Sequence, residues 1–371
     1  MSRESYRGDR DDPNANGGPT RIPLILSACT TGEDTAGKER KPVQETGKWE
    51  TVTQDLNVPW SVAYADGTFY LTERGGTLVH VRQSGGSKRV SIELKRANRA
   101  TGEGGLLGLA LAPDFATSQR AYIYHTYEEN GRLFNRIVLI EWLEQSGKWI
   151  ERKALLEGIP GGPNHNGGRL AIGPDRHLYA TTGDAGEKKL AQDKKSLAGK
   201  ILRLKLDGGI PADNPFPQSY VYTYGHRNPQ GLAWNRAGQL LSSEHGPSGV
   251  PGGHDELNLI QPGKNYGWPE IIGDETKEGM VSPVAHSDSG TWAPSGMAVT
   301  PAGELFVAAL RGERLLKVTP AQGYEVTTAL EGLGRLRDAV AVQNELYILT
   351  NNTDGRGQPR AGDDRLVKVR L

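Results

Sequence analysis

Short apolar runs, broken by turns bearing Gly, Asp or Asn, recur along the chain from Trp60 onward. The copies read WSVAYADGTFYLTE from Trp60, LLGLALAPDFATSQRAYIYHTY from Leu106 and GRLAIGPDRHLYATTGD from Gly168. They continue as GLAWNRAGQLLSSEHG from Gly231, SGMAVTPAGELFVAAL from Ser295 and DAVAVQNELYILTN from Asp338. In each, a β-rich run leads through a Pro-Asp or Gly-containing turn into a second β-rich run, the pattern of a hairpin. A third strand follows every hairpin, as TLVHV, RIVLIEW, KILRLKL, ELNLI, RLLKV and RLVKV. The copies start roughly 40–65 residues apart, the spacing of propeller blades with loop insertions. The pattern predicts an all-β fold, a six-bladed β-propeller with four-stranded antiparallel blades over residues 49–371. The terminal RLVKVRL and the opening KWETVTQDL are expected to share one blade, closing the ring and removing its exposed edges. Two stacked sandwiches would also supply short strands, but not six matched units.

Composition agrees with frequent turning: the 371 residues include 49 Gly and 22 Pro. The 44 basic and 44 acidic residues cancel, so global charge points to neither nucleic acid nor an anionic membrane. No run has the length of a membrane-spanning helix. The single cysteine, Cys29, excludes an intramolecular disulfide and a cysteine-based zinc site. Leu26-Ser27-Ala28-Cys29 resembles a bacterial lipobox, although the apolar run Ile22–Leu26 before it is shorter than a secretory core. Residues 1–48 are therefore expected to lie outside the fold, as an export-related segment or a disordered tail.

Propellers bind ligands at the central channel, so residues just before each hairpin, or in the loop after it, are the candidates. His165 precedes the third hairpin among Asn164, Asn166 and glycines. Its near-neutral titration suits a general base, and the alternative is a turn histidine bonded to backbone. His226, Arg227, Asn228 and Gln230 hold the same place before the fourth hairpin. Arg227 offers a fixed fork of donors for developing negative charge, against the reading of a self-bonded polar loop. After that hairpin, Gly246 and Pro247 offer carbonyls beside Glu244, Asp255 and Glu256, the oxygen chemistry that Ca²⁺ takes. A solvated acidic loop is the alternative. Arg311 follows the fifth hairpin, and Arg335 and Arg337 precede the sixth with strand-like spacing that aims both one way. Such a pair suits a ligand with several carboxylates, if the two are not simply surface residues. Glu103 precedes the second hairpin.

The runs GEGGLLGLALAPDF, NHNGGRLAIGPD followed by TTGD, and GHRNPQGLAW followed by EHGP, DELNLI and GKNYGWP together resemble the soluble quinoprotein glucose and aldose sugar dehydrogenases. This is the glucose/sorbosone dehydrogenase family, and the resemblance runs from Asn57 to Leu371. It implies a propeller that binds pyrroloquinoline quinone and Ca²⁺, with an aldose as substrate and an external electron acceptor. By the same resemblance His165 matches the base that takes the anomeric hydroxyl proton. Arg227 and Asn228 match residues beside the reacting carbonyls, and Gly246 and Pro247 match carbonyl ligands of the cofactor's Ca²⁺. Arg335 and Arg337 match binders of the cofactor carboxylates. Glu256 and Tyr266 match ligands of a second calcium, with Asp274 or Glu275 as helpers. Glu103 stands where a glutamine is usual near the cofactor, and Arg311 where a lysine occurs. The stretch TWAPSG from Thr291 is short, and the compact loops point to a broad aldose dehydrogenase rather than a glucose-selective one. A calcium-dependent lactonase and a non-catalytic binding propeller are the competing functions. The expected location is extracytoplasmic, and the oligomeric state is open between monomer and homodimer.

Overall fold

The computed structural model describes residues 48–248, 252–320 and 323–370. Cys29 and the export-like run lie outside the described residues. Strand β1 (Trp49–Thr53) is followed by β2–β5 (Pro59–Ala65, Thr68–Glu73, Thr77–Arg82, Ser87–Glu93) and β6–β9 (Leu106–Leu111, Arg120–Glu129, Arg132–Leu143, Lys148–Pro160). Next come β10–β13 (Leu170–Ile172, Leu178–Thr182, Lys200–Leu204, Val221–Tyr224) and β14–β17 (Pro229–Trp234, Leu240–Glu244, Glu256–Ile260, Ala285–His286). The last groups are β18–β21 (Pro294–Val299, Leu305–Ala309, Arg314–Thr319, Glu325–Glu331) and β22–β24 (Leu336–Val342, Glu345–Thr350, Leu366–Val369).

Strands β10–β13, β14–β17 and β18–β21 each form a four-stranded antiparallel sheet. Strands β22–β24 take β1 as their fourth member, with Trp49 opposite Val369, so the two ends of the fold are stitched into one sheet. The groups β2–β5 and β6–β9 are also antiparallel. They join into one eight-stranded sheet through a short parallel pairing of Ile92 with Trp149 and Glu93 with Ile150. The innermost strands β2, β6, β10, β14, β18 and β22 touch one another in succession, and β22 returns to β2. This is the arrangement of a β-propeller.

The middle strands β11, β15 and β19 are buried along their whole length, because both faces meet a neighbouring sheet. The cores accordingly lie between sheets. Phe69, Leu71 and Val79 of one sheet pack on Tyr347, Leu349 and Leu366 of the next. Leu78 and Val90 pack on Leu106, Ile123, Val138 and Trp149. The outer strands are the weakest elements: β17 is two residues long, and β5 and β21 are largely exposed.

A buried polar cluster joins the innermost strands at the channel. Arg169, just before β10, donates from Nη1 to Asp338 of β22 at 2.6 Å and to Ser61 Oγ of β2 at 3.0 Å. Its Nε donates to the Gln230 carbonyl of β14 at 2.8 Å, and the guanidinium lies 4.3 Å from the Trp60 ring centroid. Asp338 also accepts the Val62 amide at 2.9 Å. A Cβ on Gly296 of β18 would fall 1.7 Å from Asp338 Oδ1, so the strand can approach only as glycine. Burial pushes the Asp338 carboxyl up, and Arg169 with the Val62 and Ala339 amides opposes that.

Arg169→Met strands Asp338 as a buried, uncompensated carboxylate, so a loss of about 3–5 kcal/mol is expected in urea unfolding. A loss under about 1 kcal/mol would show that the channel pair is not what ties the inner strands together.

Candidate active site

The loops before β10 and β14 and the loops after β15 and β23 enclose a cavity of about 800 Å³. That volume is in the usual range for a small-molecule or cofactor site. Its wall includes Glu103, His165, Arg227, Gly246, Pro247, Arg311, Arg335 and Arg356. Residues drawn from all along the chain thus meet at one end of the channel.

His165 has a left-handed backbone, with φ 57°. Its imidazole Nδ1 sits 2.7 Å from Asp184 Oδ1. Asp184 is fully buried; it also accepts the Gly186 amide at 2.8 Å and the Trp268 indole N–H at 2.9 Å. Burial alone would raise the Asp184 carboxyl, but these bonds from His165, Gly186 and Trp268 outweigh it and hold the group below its ordinary value. An ionised Asp184 must accept, so in the neutral imidazole Nδ1 carries the proton and Nε2 the lone pair. The result is an oriented general base on the cavity wall.

Glu103 lies beside it. Its Oε2 accepts the His165 backbone N–H at 2.9 Å, and its Oε1 accepts Arg356 Nη1 at 2.8 Å. Burial would raise this carboxyl, but His245, the His165 amide and Arg356 carry it down to about 2. The charge is therefore turned toward a cation rather than presented bare to a ligand.

The cavity continues into a smaller inner recess shared by Glu103, His245 and Arg356 and reached by Arg337, Gln230 and Trp60. Arg335 lines the outer cavity and Arg337 this recess, so the two expected neighbours occupy successive depths of one site. Arg335 is paired with Asp354 at 2.9 Å. Arg337 donates to Asn351 Oδ1 at 2.8 Å and to Gln230 Oε1 at 2.8 Å. Burial, aided by Arg335, Arg74 and Arg169 and opposed by Asp354, pulls Arg337 down to about 9, so it remains charged at neutral pH. Arg227 donates to the His245 carbonyl at 3.2 Å, and its guanidinium lies 5.4 Å from the Trp268 ring centroid. Asn228 sits behind the wall, its Oδ1 accepting the Gly167 amide at 3.0 Å. Around this site Asn228 Nδ2, Arg335 Nε, Arg74 Nε and Asn351 Nδ2 are buried donors with no protein partner. Unpaired buried donors are costly, and a carbonyl- and carboxylate-rich ligand would satisfy them.

The loop after β15 is pinned by Asp255. That carboxylate accepts the Gly246 amide at 2.8 Å, Thr291 Oγ1 at 2.9 Å and the Ala293 amide at 2.8 Å. The Pro247 carbonyl accepts Gly253 N–H at 3.2 Å, leaving its second lone pair. Glu256 and Tyr266 lie apart from the cavity lining. Burial and the neighbouring Glu244 push the Glu256 carboxyl up to about 8, an environment that a bound cation would relieve. The Tyr266 hydroxyl donates to the Leu259 carbonyl at 2.6 Å and accepts the Gln261 amide at 2.8 Å. Asp274, His286 of β17 and Asp288 place ligand atoms within 4.8 Å of one another.

Sequence reasoning quoted the TTGD run without assigning Asp184 a role; the carboxylate directly after a channel-directed strand was the available signal. Arg356 and Asp354 carried no such signal. They sit in a polar loop; the β22–β23 hairpin brings Arg335 to Asp354, and closure of the ring brings Glu103 to Arg356.

A family model described as Glucose / Sorbosone dehydrogenase matches residues 56–360. The chain is 35% identical over 289 residues to quinoprotein glucose dehydrogenase B of Acinetobacter calcoaceticus, a match covering 70% of this chain and 60% of that protein. It thus spans less than two thirds of that relative's length. It is 32% identical over 341 residues to an aldose sugar dehydrogenase of Escherichia coli (strain K12), covering 82% of this chain and 90% of that one. Among solved structures, the PQQ-bound form of aldose sugar dehydrogenase from Streptomyces coelicolor aligns with a TM-score of 0.79 at 41% identity. That alignment covers 86% of this chain and 96% of the other.

A carboxylate held below its unfolded value stabilises the fold fully above that value and loses the contribution as pH falls through its folded one. The stability gap between the parent and Glu103→Gln is expected to be widest at neutral pH and to shrink between about 4.5 and about 2. Urea melts across that window check this, and a gap independent of pH would mean that Glu103 is not held ionised.

Proposed function

The chain belongs to the glucose/sorbosone dehydrogenase family, and from that premise we propose that it oxidises the C1 hydroxyl of aldoses to lactones using pyrroloquinoline quinone and Ca²⁺. The observation that carries this reading is the His165–Asp184 pair on the wall of a cavity whose buried donors lack protein partners. We read the closed succession of inner strands as six blades, with β2–β5 and β6–β9 counted as two.

His165 Nε2 takes the proton of the anomeric hydroxyl, and Asp184 stabilises the resulting imidazolium through Nδ1. Bound in the cavity, the quinone would accept the C1 hydride, with Ca²⁺ as a Lewis acid upon it. Arg227, held by the His245 carbonyl and the Trp268 ring, meets negative charge that develops beside His165. Asn228 Nδ2, Arg335 and Arg337 would hold the ligand's oxygens and carboxylates, and Arg311 adds positive charge at the rim. The free lone pairs of the Gly246 and Pro247 carbonyls would hold the catalytic Ca²⁺. Glu256 with the Tyr266 carbonyl would hold a second ion. We assign residues 49–371 to this catalytic propeller. The lipobox-like Leu26–Cys29 run supports an extracytoplasmic, lipid-anchored location. Metabolic incorporation of labelled palmitate, lost in Cys29→Ala, tests the anchor.

Dye reduction by an aldose panel is expected only after both quinone and Ca²⁺ are added. His165→Ala should lower turnover at least about 100-fold while quinone titration still saturates. If the loaded parent reduces no dye with any aldose, the dehydrogenase reading fails; lactone hydrolysis without quinone would replace it with a lactonase.

For the second ion, Ca²⁺ at about 100 times its dissociation constant is expected to stabilise the quinone-free protein by about 2.7 kcal/mol. Glu256→Gln should lose that increment in a thermal melt, and an increment that persists would remove Glu256 from the calcium site.

A further inference from the structure

We propose that Arg356 is a positioning residue for the base, acting through Glu103 to fix the backbone of His165 and to tie it to the arginine-bearing loop at the start of β22. The role of His165 as base rests on the function proposed above; the geometry of the tie does not.

The loops of Glu103 and His165 clasp each other by two reciprocal hydrogen bonds. Glu103 N–H donates to the Pro163 carbonyl at 2.7 Å, and His165 N–H donates to Glu103 Oε2 at 2.9 Å. Gly102 permits the approach, since a Cβ there would lie 2.0 Å from the Pro163 oxygen. His165 needs such a clasp because its left-handed backbone is unfavourable for a residue with a side chain. On its other side, the His165 carbonyl accepts Ala185 N–H at 3.1 Å. Glu103 is therefore one of the jaws that hold the imidazole over Asp184.

Arg356 fixes that jaw from across the cavity. The two residues are 253 positions apart in the chain. The Arg356 amide donates to Asp354 Oδ1 at 2.9 Å, and Asp354 Oδ2 accepts Arg335 Nη2 at 2.9 Å. Hydrogen bonds thus link Arg335, Asp354, Arg356 and Glu103 to the amide of His165, the step from Asp354 to Arg356 being through the Arg356 backbone N–H.

The Arg356 side chain is 55% exposed, so its ion pair adds little to global stability. Its effect is local order, which separates a positioning role from a structural one.

The test measures amide hydrogen exchange of His165 in the full-length, quinone-free protein, and then steady-state kinetics of the loaded enzyme. Arg356→Gln is expected to speed exchange at His165 about tenfold, with the melting temperature unchanged. It should lower kcat about five- to tenfold and leave the aldose KM within about twofold. Arg356→Lys should restore part of the protection. Glu103→Ala should speed exchange at His165 and lower kcat at least as much, with the loss of stability expected of that carboxylate in addition, and Arg356→Gln should add nothing in the Glu103→Ala background. Exchange at His165 within about twofold of the parent in Arg356→Gln would overturn the proposal, whatever Glu103→Ala does. Equal acceleration across the whole propeller would overturn it as well, because the effect would then be global. The exchange result stands whether or not any aldose is oxidised, so failure of the tie and failure of the dehydrogenase reading are separable.

Discussion

The ion pair between Arg169 and Asp338 is the constraint on which the geometry of the molecule rests. Strands from distant parts of the sequence converge on one channel lined by buried polar side chains. The Arg169 guanidinium bonds β2, β14 and β22 there and lies on Trp60, with Arg337 against the same ring. Both charges are desolvated, so each is tolerable only while the other is in place. The pair therefore converts a loose succession of sheets into a ring of fixed diameter. The cavity above it inherits that precision: Arg337 is the next residue before Asp338, and Gly168 is the next before Arg169.

Above the channel, a second device recurs. Buried carboxylates pin the loops by accepting backbone amides. Glu244 accepts the amides of Arg227 and Asn228 while holding His226 Nδ1 at 2.8 Å. Asp255 gathers the Gly246 and Ala293 amides. Asp364 takes those of Asn352 and Thr353, and Asp184 takes that of Gly186. Irregular loops at a propeller mouth cannot satisfy their amides through strand pairing, and an ionised carboxylate satisfies two or three at once. The loops that carry His165, Arg227 and Gly246 are thus shaped by carboxylates whose oxygens are taken up by backbone amides.

This division explains what the sequence made legible. The middle strands β11, β15 and β19 are buried on both faces and most inner strands largely so, which makes them apolar and β-rich, and they were visible as repeated hairpins. Strand β17 escapes because two residues pairing Glu256 with His286 and Leu257 with Ala285 leave no periodicity to read. His165, Arg227 and Arg335 were legible because glycine- and asparagine-rich motifs flank them just before a hairpin. The carboxylates that position them were not, since an acid in a polar loop looks solvated until its amide donors are known. Asp184 bonds the indole of Trp268, a residue 84 positions away, which no local pattern announces.

Glu103 shows how the two devices meet. Read by itself, a carboxylate facing a site built for a polyanion is a defect. In the folded chain one oxygen holds the amide of His165 and the other meets Arg356. The charge is spent within the protein before any ligand arrives. An amide at this position could accept the His165 N–H equally well but could not anchor an arginine at the cavity rim. The exchange of one neutral acceptor for an ion pair therefore leaves the local charge of the site unchanged while adding a mechanical link across its mouth. Because the link is half in solvent, its electrostatic strength is low and sensitive to salt. What it contributes is direction: of the contacts that fix the imidazole over Asp184, it is the one that reaches across the cavity to the arginine side of the site.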